Sequence, residues 1–140
     1  MAKDFWLNLP VKNVKTSRAF FTQMGFKFNP RFGENDNMAA LLVGEKNTVV
    51  MLCEEPQFKQ YISNPISDTK KGTEVILSID AQSKEEVDEM AQRAIEAGGS
   101  SNHKPSPMQG WMYGCMFTDP DGHSWNVLYM DMSQVPQKGI

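Results

Sequence analysis

At 140 residues, with 40% hydrophobic and 22% charged side chains and ordinary glycine and proline content, the chain has the make-up of one globular domain and not of a disordered or fibrous protein. A formal net charge of −3 without any basic run argues against nucleic acid as a partner. No window approaches the ~20 apolar residues of a membrane span and no secretory signal opens the chain, so a cytoplasmic protein with no membrane partner is expected.

Residues 5–11 alternate as a strand, and Pro10 places that strand at a sheet edge or at its own end, where a missing N–H is tolerated. Asn13 then caps a helix. Val14, Ser17, Phe20, Phe21 and Met24 recur at helical spacing and form its apolar face, while Lys15, Arg18 and Gln23 are expected to face water. Gly25 is the natural stop. A short strand over residues 26–28, a polar loop over residues 33–37, and strands over 38–43 and 48–53 around a turn at residues 44–47 complete a β-α-β-β-β unit.

Residues 55–72 break the pattern with Pro56 and Pro65 and read as a linker, although Phe58, Tyr61, Ile62 and Ile66 are too apolar for a free tether. The unit then repeats. Residues 74–79 form a strand, and Ser83 and Glu86 make a capping box. Val87, Met90, Ala91, Ala94 and Ile95 line a buried helix face that ends at Gly98 and Gly99. A short strand near residues 100–103, a proline-rich loop over 104–110 and a hairpin over 111–130 follow.

The modules therefore span about residues 4–54 and 73–132. The expected fold is α+β: two β-α-β-β-β modules form a curved mixed sheet, or half-barrel, around a ligand cavity, with helices outside. The hairpin turn Asp119, Pro120, Asp121, Gly122 gathers carboxylates, but a proline-glycine turn accounts for their spacing without catalysis. Cys53 and Cys115 lie in apolar strands, fit no metal-ligand spacing, and are expected to be buried reduced thiols. His103, ahead of the proline-rich run, and His123, in the turn, suit surface or turn packing.

The paired modules resemble the vicinal oxygen chelate superfamily, which includes glyoxalase I, bleomycin and fosfomycin resistance proteins and extradiol dioxygenases. The residues that carry the resemblance are Leu9, Pro10 and Val11; Ser17 to Phe21; Met24, Gly25 and Phe26; Ala97, Gly98 and Gly99; and the run Phe117, Thr118, Asp119, Pro120, Asp121, Gly122, His123, Ser124, Trp125. Enzymes of the family usually hold a divalent metal through one His, Gln or Glu on the first and last strand of each module. Matched motif to motif, those places fall on Trp6, Met51, Glu74 and Asn126. Only Glu74 is a normal ligand for a hard divalent cation, so the ligand positions do not support a metal cofactor.

The resemblance then implies a small-molecule-binding protein of the resistance or sequestration type, acting as a homodimer. Trp6, Asn8, Met51, Trp111, Tyr113 and Asn126 are its candidate ligand-binding residues. Asn8 shares a strand face with Trp6, and Asn126 shares one with Leu128 and Met130, so inward-facing amides would orient a ligand. Trp6, Trp111, Tyr113 and Trp125 offer surfaces for stacking, and ten methionines offer a soft lining. The alternative is a lyase, isomerase or dioxygenase with an atypical metal site, or with Glu74, desolvated in the cavity, as general base.

Overall fold

A computed structural model describes residues 1–33 and 36–136. The chain divides into two compact units, residues 1–72 and 73–140. Each holds one β-α-β-β-β module with its own four-stranded mixed sheet, and neither sheet closes into a barrel.

In the first unit the elements are β1 (Trp6–Val11), α1 (Val14–Gln23), β2 (Lys27–Phe28), β3 (Met38–Val43) and β4 (Thr48–Glu54), with sheet order β1-β4-β3-β2. β1 runs parallel to β4 at the sheet edge, and Pro10 takes its expected place on that edge strand. Asn13 caps α1, its side chain accepting the Thr16 N–H at 3.2 Å. The Glu54 carboxylate at the end of β4 accepts the Val14 N–H at 3.0 Å, placing negative charge at the positive end of the helix. That contact also shows that the Val50, Leu52, Glu54 side of β4 faces α1.

Val14, Ser17, Phe20, Phe21 and Met24 are all buried, as the periodicity predicts. Arg18 departs from the expectation that it faces water. It is half-buried, donates to the Phe32 and Gly33 carbonyls at 2.9 and 3.2 Å, and lies 5.1 Å above the Phe28 ring. Its long stem lets a residue at the margin of the apolar stripe fold back over the loop after β2. Of that loop, predicted over residues 33–37, Glu34 and Asn35 lie outside the described residues.

The segment after β4 forms α2 (Glu55–Phe58) and a 3-10 turn at Lys59–Tyr61, and α2 packs on β1 and β4. The second unit contains β5 (Ile76–Ala81), α3 (Lys84–Glu96), β6 (Ser100–Met108), β7 (Met112–Thr118) and β8 (Ser124–Met130), in sheet order β5-β8-β7-β6. Ser83 accepts the Glu86 N–H at 3.1 Å, and the Glu86 carboxylate reaches back to the Gln82 N–H at 2.9 Å, one residue before the cap.

Both helices stop in the same way. Gly25 (φ 96°) and Gly98 (φ 103°) adopt the left-handed conformation. Around them Gly25 N–H and Gly98 N–H bond Thr22 and Ile95 carbonyls, while Phe26 N–H and Gly99 N–H bond Phe21 and Ala94 carbonyls at 2.9 and 2.8 Å. This is the paired 5→2 and 6→1 bonding of a Schellman stop. In the first unit the accompanying apolar contact is an edge-to-face pair, Phe21 with Phe26, at 5.5 Å.

Three expectations for the second unit are corrected. β5 begins at Ile76, so Glu74 precedes the strand. Ile95 is 53% exposed, because it lies ~90° from the centre of the stripe that Val87, Met90, Ala91 and Ala94 define. The proline-rich run is no loop. It belongs to β6, where Pro105 and Pro107 are tolerated because the strand is at the edge and its pairing with β7 shifts register between Ser100 and His103 and again between His103 and Ser106.

Candidate functional site

Each sheet has one face under its helix and one face turned away, and the strand ladders assign residues to them. In the first unit the α1 side is Leu9, Val11, Ala39, Leu41, Val50 and Leu52, all buried. The opposite face carries exposed Trp6 and Asn8 on β1 beside half-buried Val49 and Met51 on β4. Asn8 is paired with Met51, and Met51 with Ala40, across three adjacent strands.

In the second unit Cys115 Sγ lies 3.9 Å from the Val87 carbonyl and Tyr113 Oη donates to Asp88 at 2.6 Å, which puts the Tyr113, Cys115, Phe117 side of β7 against α3. Trp125, the register partner of Phe117, lies on the same side, and the two rings stack at 6.0 Å with 3° between planes. The face turned away carries Ile76, Ser78 and Asp80 on β5, Asn126, Leu128 and Met130 on β8, and Met112, Gly114 and Met116 on β7. Ser78 and Asn126 are register partners, and Asn126 Nδ2 donates to Ser78 Oγ at 3.3 Å.

Trp6, Asn8 and Met51 thus share the open face of the first sheet, and Asn126 is on the open face of the second. Trp111, 8% exposed, lies between β6 and β7, where its carbonyl accepts the Asp131 N–H at 2.7 Å. Tyr113 turns toward α3. Its hydrogen bond to the Asp88 carboxylate, ahead of a smaller burial effect, pushes its phenol up, and Lys84 Nζ is 5.8 Å from its ring. Trp125 is fully buried under α3. Of the four aromatics proposed for stacking, Trp6 alone occupies an open sheet face.

Glu74 is exposed and ahead of β5, without the burial that a desolvated general base requires. The position opposite Asn126 belongs to Ser78, and the position opposite Met51 belongs to Asn8 and not Trp6. Sequence reasoning missed Ser78. Its signal was parity, since Ser78 is the polar position of a strand that otherwise reads Ile76, Leu77, Ile79.

The paired positions offer an amide and a thioether on the first sheet, and a hydroxyl and an amide on the second. All are neutral, and the thioether is soft. Neither pair supplies a carboxylate or an imidazole, the donors that hold a divalent metal firmly, so neither fits a superfamily-type divalent metal by itself. Among the described residues, no three of His, Cys, Asp and Glu come together in a metal-binding group.

The hairpin turn is structural. Asp119 is 4% exposed and its carboxylate accepts the Asp121 and His123 N–H groups, both at 3.0 Å, and the Trp125 indole N–H at 3.2 Å. Gly122, at φ 85°, closes the turn through its N–H to the Asp119 carbonyl at 2.9 Å. Burial pushes the Asp119 carboxyl up on balance, against the opposing pull of the His123 charge and of the His123 and Trp125 N–H donors. His103 is exposed on β6. Both thiols are free and buried, and burial pushes Cys53 up and Cys115 up to about 11.

Residues 5–127 match the model of the glyoxalase/bleomycin resistance protein/dioxygenase superfamily, and the chain belongs to that superfamily. It is similar to hypothetical protein SA1046 from S. aureus at 32% identity and a TM-score of 0.81, covering 92% of this chain and 94% of that one. Two further solved structures share the fold at lower identity. A glyoxalase-related enzyme from Fulvimarina pelagi matches at 15% identity and a TM-score of 0.78, covering 100% and 96% of the two chains. A glyoxalase/bleomycin resistance protein/dioxygenase family enzyme from Burkholderia phytofirmans PsJN matches at 18% and 0.72, covering 89% and 96%. No protein of curated function matches the chain significantly. Among the described residues, no helix is long and apolar enough to cross a membrane.

Proposed function

We propose that the protein binds a small organic molecule on the open sheet faces of its modules, in the manner of a resistance or sequestration protein, without a divalent metal. The observation that carries this reading is that each module pairs neutral donors on its open face, Asn8 with Met51 in the first and Ser78 with Asn126 in the second. Amides and a hydroxyl orient a ligand by hydrogen bonds, while Trp6 and Met51 supply apolar contact. Catalysis by Glu74 lacks support, since the carboxylate is exposed. The working form under this proposal is a cytoplasmic homodimer, to be checked by light scattering on the eluting protein.

The function is tested by thermal-shift screening against a library of aromatic and polar heterocyclic compounds, followed by calorimetry on the hits. Hits weakened about tenfold or more by Trp6→Ala or by Asn126→Ala support it. Hits indifferent to both variants, or no hits at all, would reject it.

A further inference from the structure

Three of the ten methionines form one row across the second sheet. Met108 on β6 is the register partner of Met112 on β7, and Met112 is the partner of Met130 on β8. Laterally paired residues point to the same side of a sheet with Cβ atoms ~4.5–5.5 Å apart, and the Met112 and Met130 side is the one turned away from α3. All three side chains are half-buried, hence reachable from solvent.

The row leans inward. A Cβ built on Gly114 would lie 2.8 Å from Met108 Cε, so the Met108 side chain crosses from its own edge strand over β7. Its methyl thus lies over β7 at Gly114, the same-face neighbour of Met112, where glycine leaves room for it. A fourth methionine, Met132, follows two residues after Met130 and is 69% exposed. The Asp131 N–H, bonded to the Trp111 carbonyl at 2.7 Å, pins the Met130 to Met132 segment beside the start of β7. Plain apolar packing does not call for an exposed Met132, and four thioethers at one end of a sheet have a specific chemistry. Thioether sulfur is a soft, neutral donor that selects a soft monovalent cation over Zn, Mn or Mg.

We propose that Met108, Met112 and Met130, with Met132 at the rim, form a binding site for one soft monovalent cation, of the copper(I) or silver(I) class. Met112, paired with both neighbours, is the central ligand. The long unbranched side chains have the rotamer freedom to turn toward one cation from register-paired positions. The site stands apart from the Asn126 and Ser78 pair, four residues back along β8, and it does not depend on the ligand proposed above.

The test uses the full chain with both buried thiols removed by Cys53→Ala and Cys115→Ala, the methionine methyls labelled with 13C, and silver(I) nitrate added in chloride-free buffer. The expected result is that the Met108, Met112 and Met130 methyl signals shift and saturate at one equivalent, while those of Met24, Met38 and Met90 stay in place. Met112→Leu keeps the side-chain volume and should abolish saturable binding; Met38→Leu should leave it unchanged. If the double variant does not fold, the same titration on the reduced natural chain is read by the methionine methyls alone. Shifts spread evenly over all methionines, no shift at one equivalent, or unaltered binding in Met112→Leu would overturn the proposal.

Discussion

The two modules fill the layer between helix and sheet from opposite sides. In the first, bulk comes from the helix: Phe20 and Phe21 meet edge-to-face at 5.0 Å above a sheet lined by Ala39, Leu41, Val50 and Leu52. In the second, bulk comes from the sheet, where the Trp125 and Phe117 stack lies under a helix face of Val87, Met90, Ala91 and Ala94. Close packing fixes the volume that a layer must contain but not which element supplies it. Two modules with almost no residue identity can therefore share one architecture.

The hairpins differ as well. β3 and β4 are joined by a short turn held by the Asn47 N–H to the Gly44 carbonyl at 3.1 Å, with Gly44 and Asn47 at positive φ. β7 and β8 are joined by a turn built on a buried carboxylate. The first turn rests on backbone conformation, the second on a side chain with three donors.

These contrasts set the order of expected effects. Phe20→Ala opens a cavity that small sheet residues cannot fill and should cost about 3–5 kcal/mol in chemical denaturation. A cost under about 1 kcal/mol would mean that the first layer is not filled from the helix. Asp119→Ala leaves the buried Trp125 indole N–H and two backbone N–H groups without their acceptor, for an expected loss of about 2–4 kcal/mol. Asn47→Gly in the other turn should be neutral within about 0.5 kcal/mol, and equal losses at the two turns would erase the distinction between them.

Where the modules agree, the variants should agree. Gly25→Ala and Gly98→Ala each force a Cβ into the left-handed region, at an expected cost of about 1–2 kcal/mol in both modules; at Gly98 there is open space around the Cβ, so the cost there is conformational. The last expectation concerns the thiols. Burial holds the Cys115 thiol up at about 11, above the ordinary thiol range, so the folded chain keeps its proton longer than the unfolded one. Stability should therefore fall as the pH rises from 9 toward 11, and native protein at pH 8 should resist thiol reagents until it is unfolded. Rapid labelling of Cys115 in the native state would contradict its burial.

Much of this architecture was legible in the sequence, because its signals are local. The α1 stripe, both glycine stops, Asn13, the Ser83 and Glu86 pair and the last hairpin depend on residues within a few positions of one another. Parity was legible too: Asn8 does lie with Trp6, and Asn126 with Leu128 and Met130. Alternation cannot say which parity lies under the helix, and that choice sent Tyr113 and Trp125 to the α3 side. Glu74 was drawn into the site because an apolar run does not mark its own first hydrogen bond; the strand starts two residues later, and the position paired with Asn126 falls on Ser78. The prolines of β6 concealed a strand because tolerance for them comes from its edge position, a property of the sheet.

The neutral donor set is the central claim, and equilibrium dialysis against Ni(II), Zn(II), Mn(II) and Fe(II), followed by elemental analysis, tests it most directly. Chain purified without chelator should retain well under one equivalent of each metal, with no change on Asn126→Ala or Glu74→Ala. One tightly held equivalent that is lost on substituting Asn126 or Glu74 would contradict it and restore a metal-dependent reading of the site.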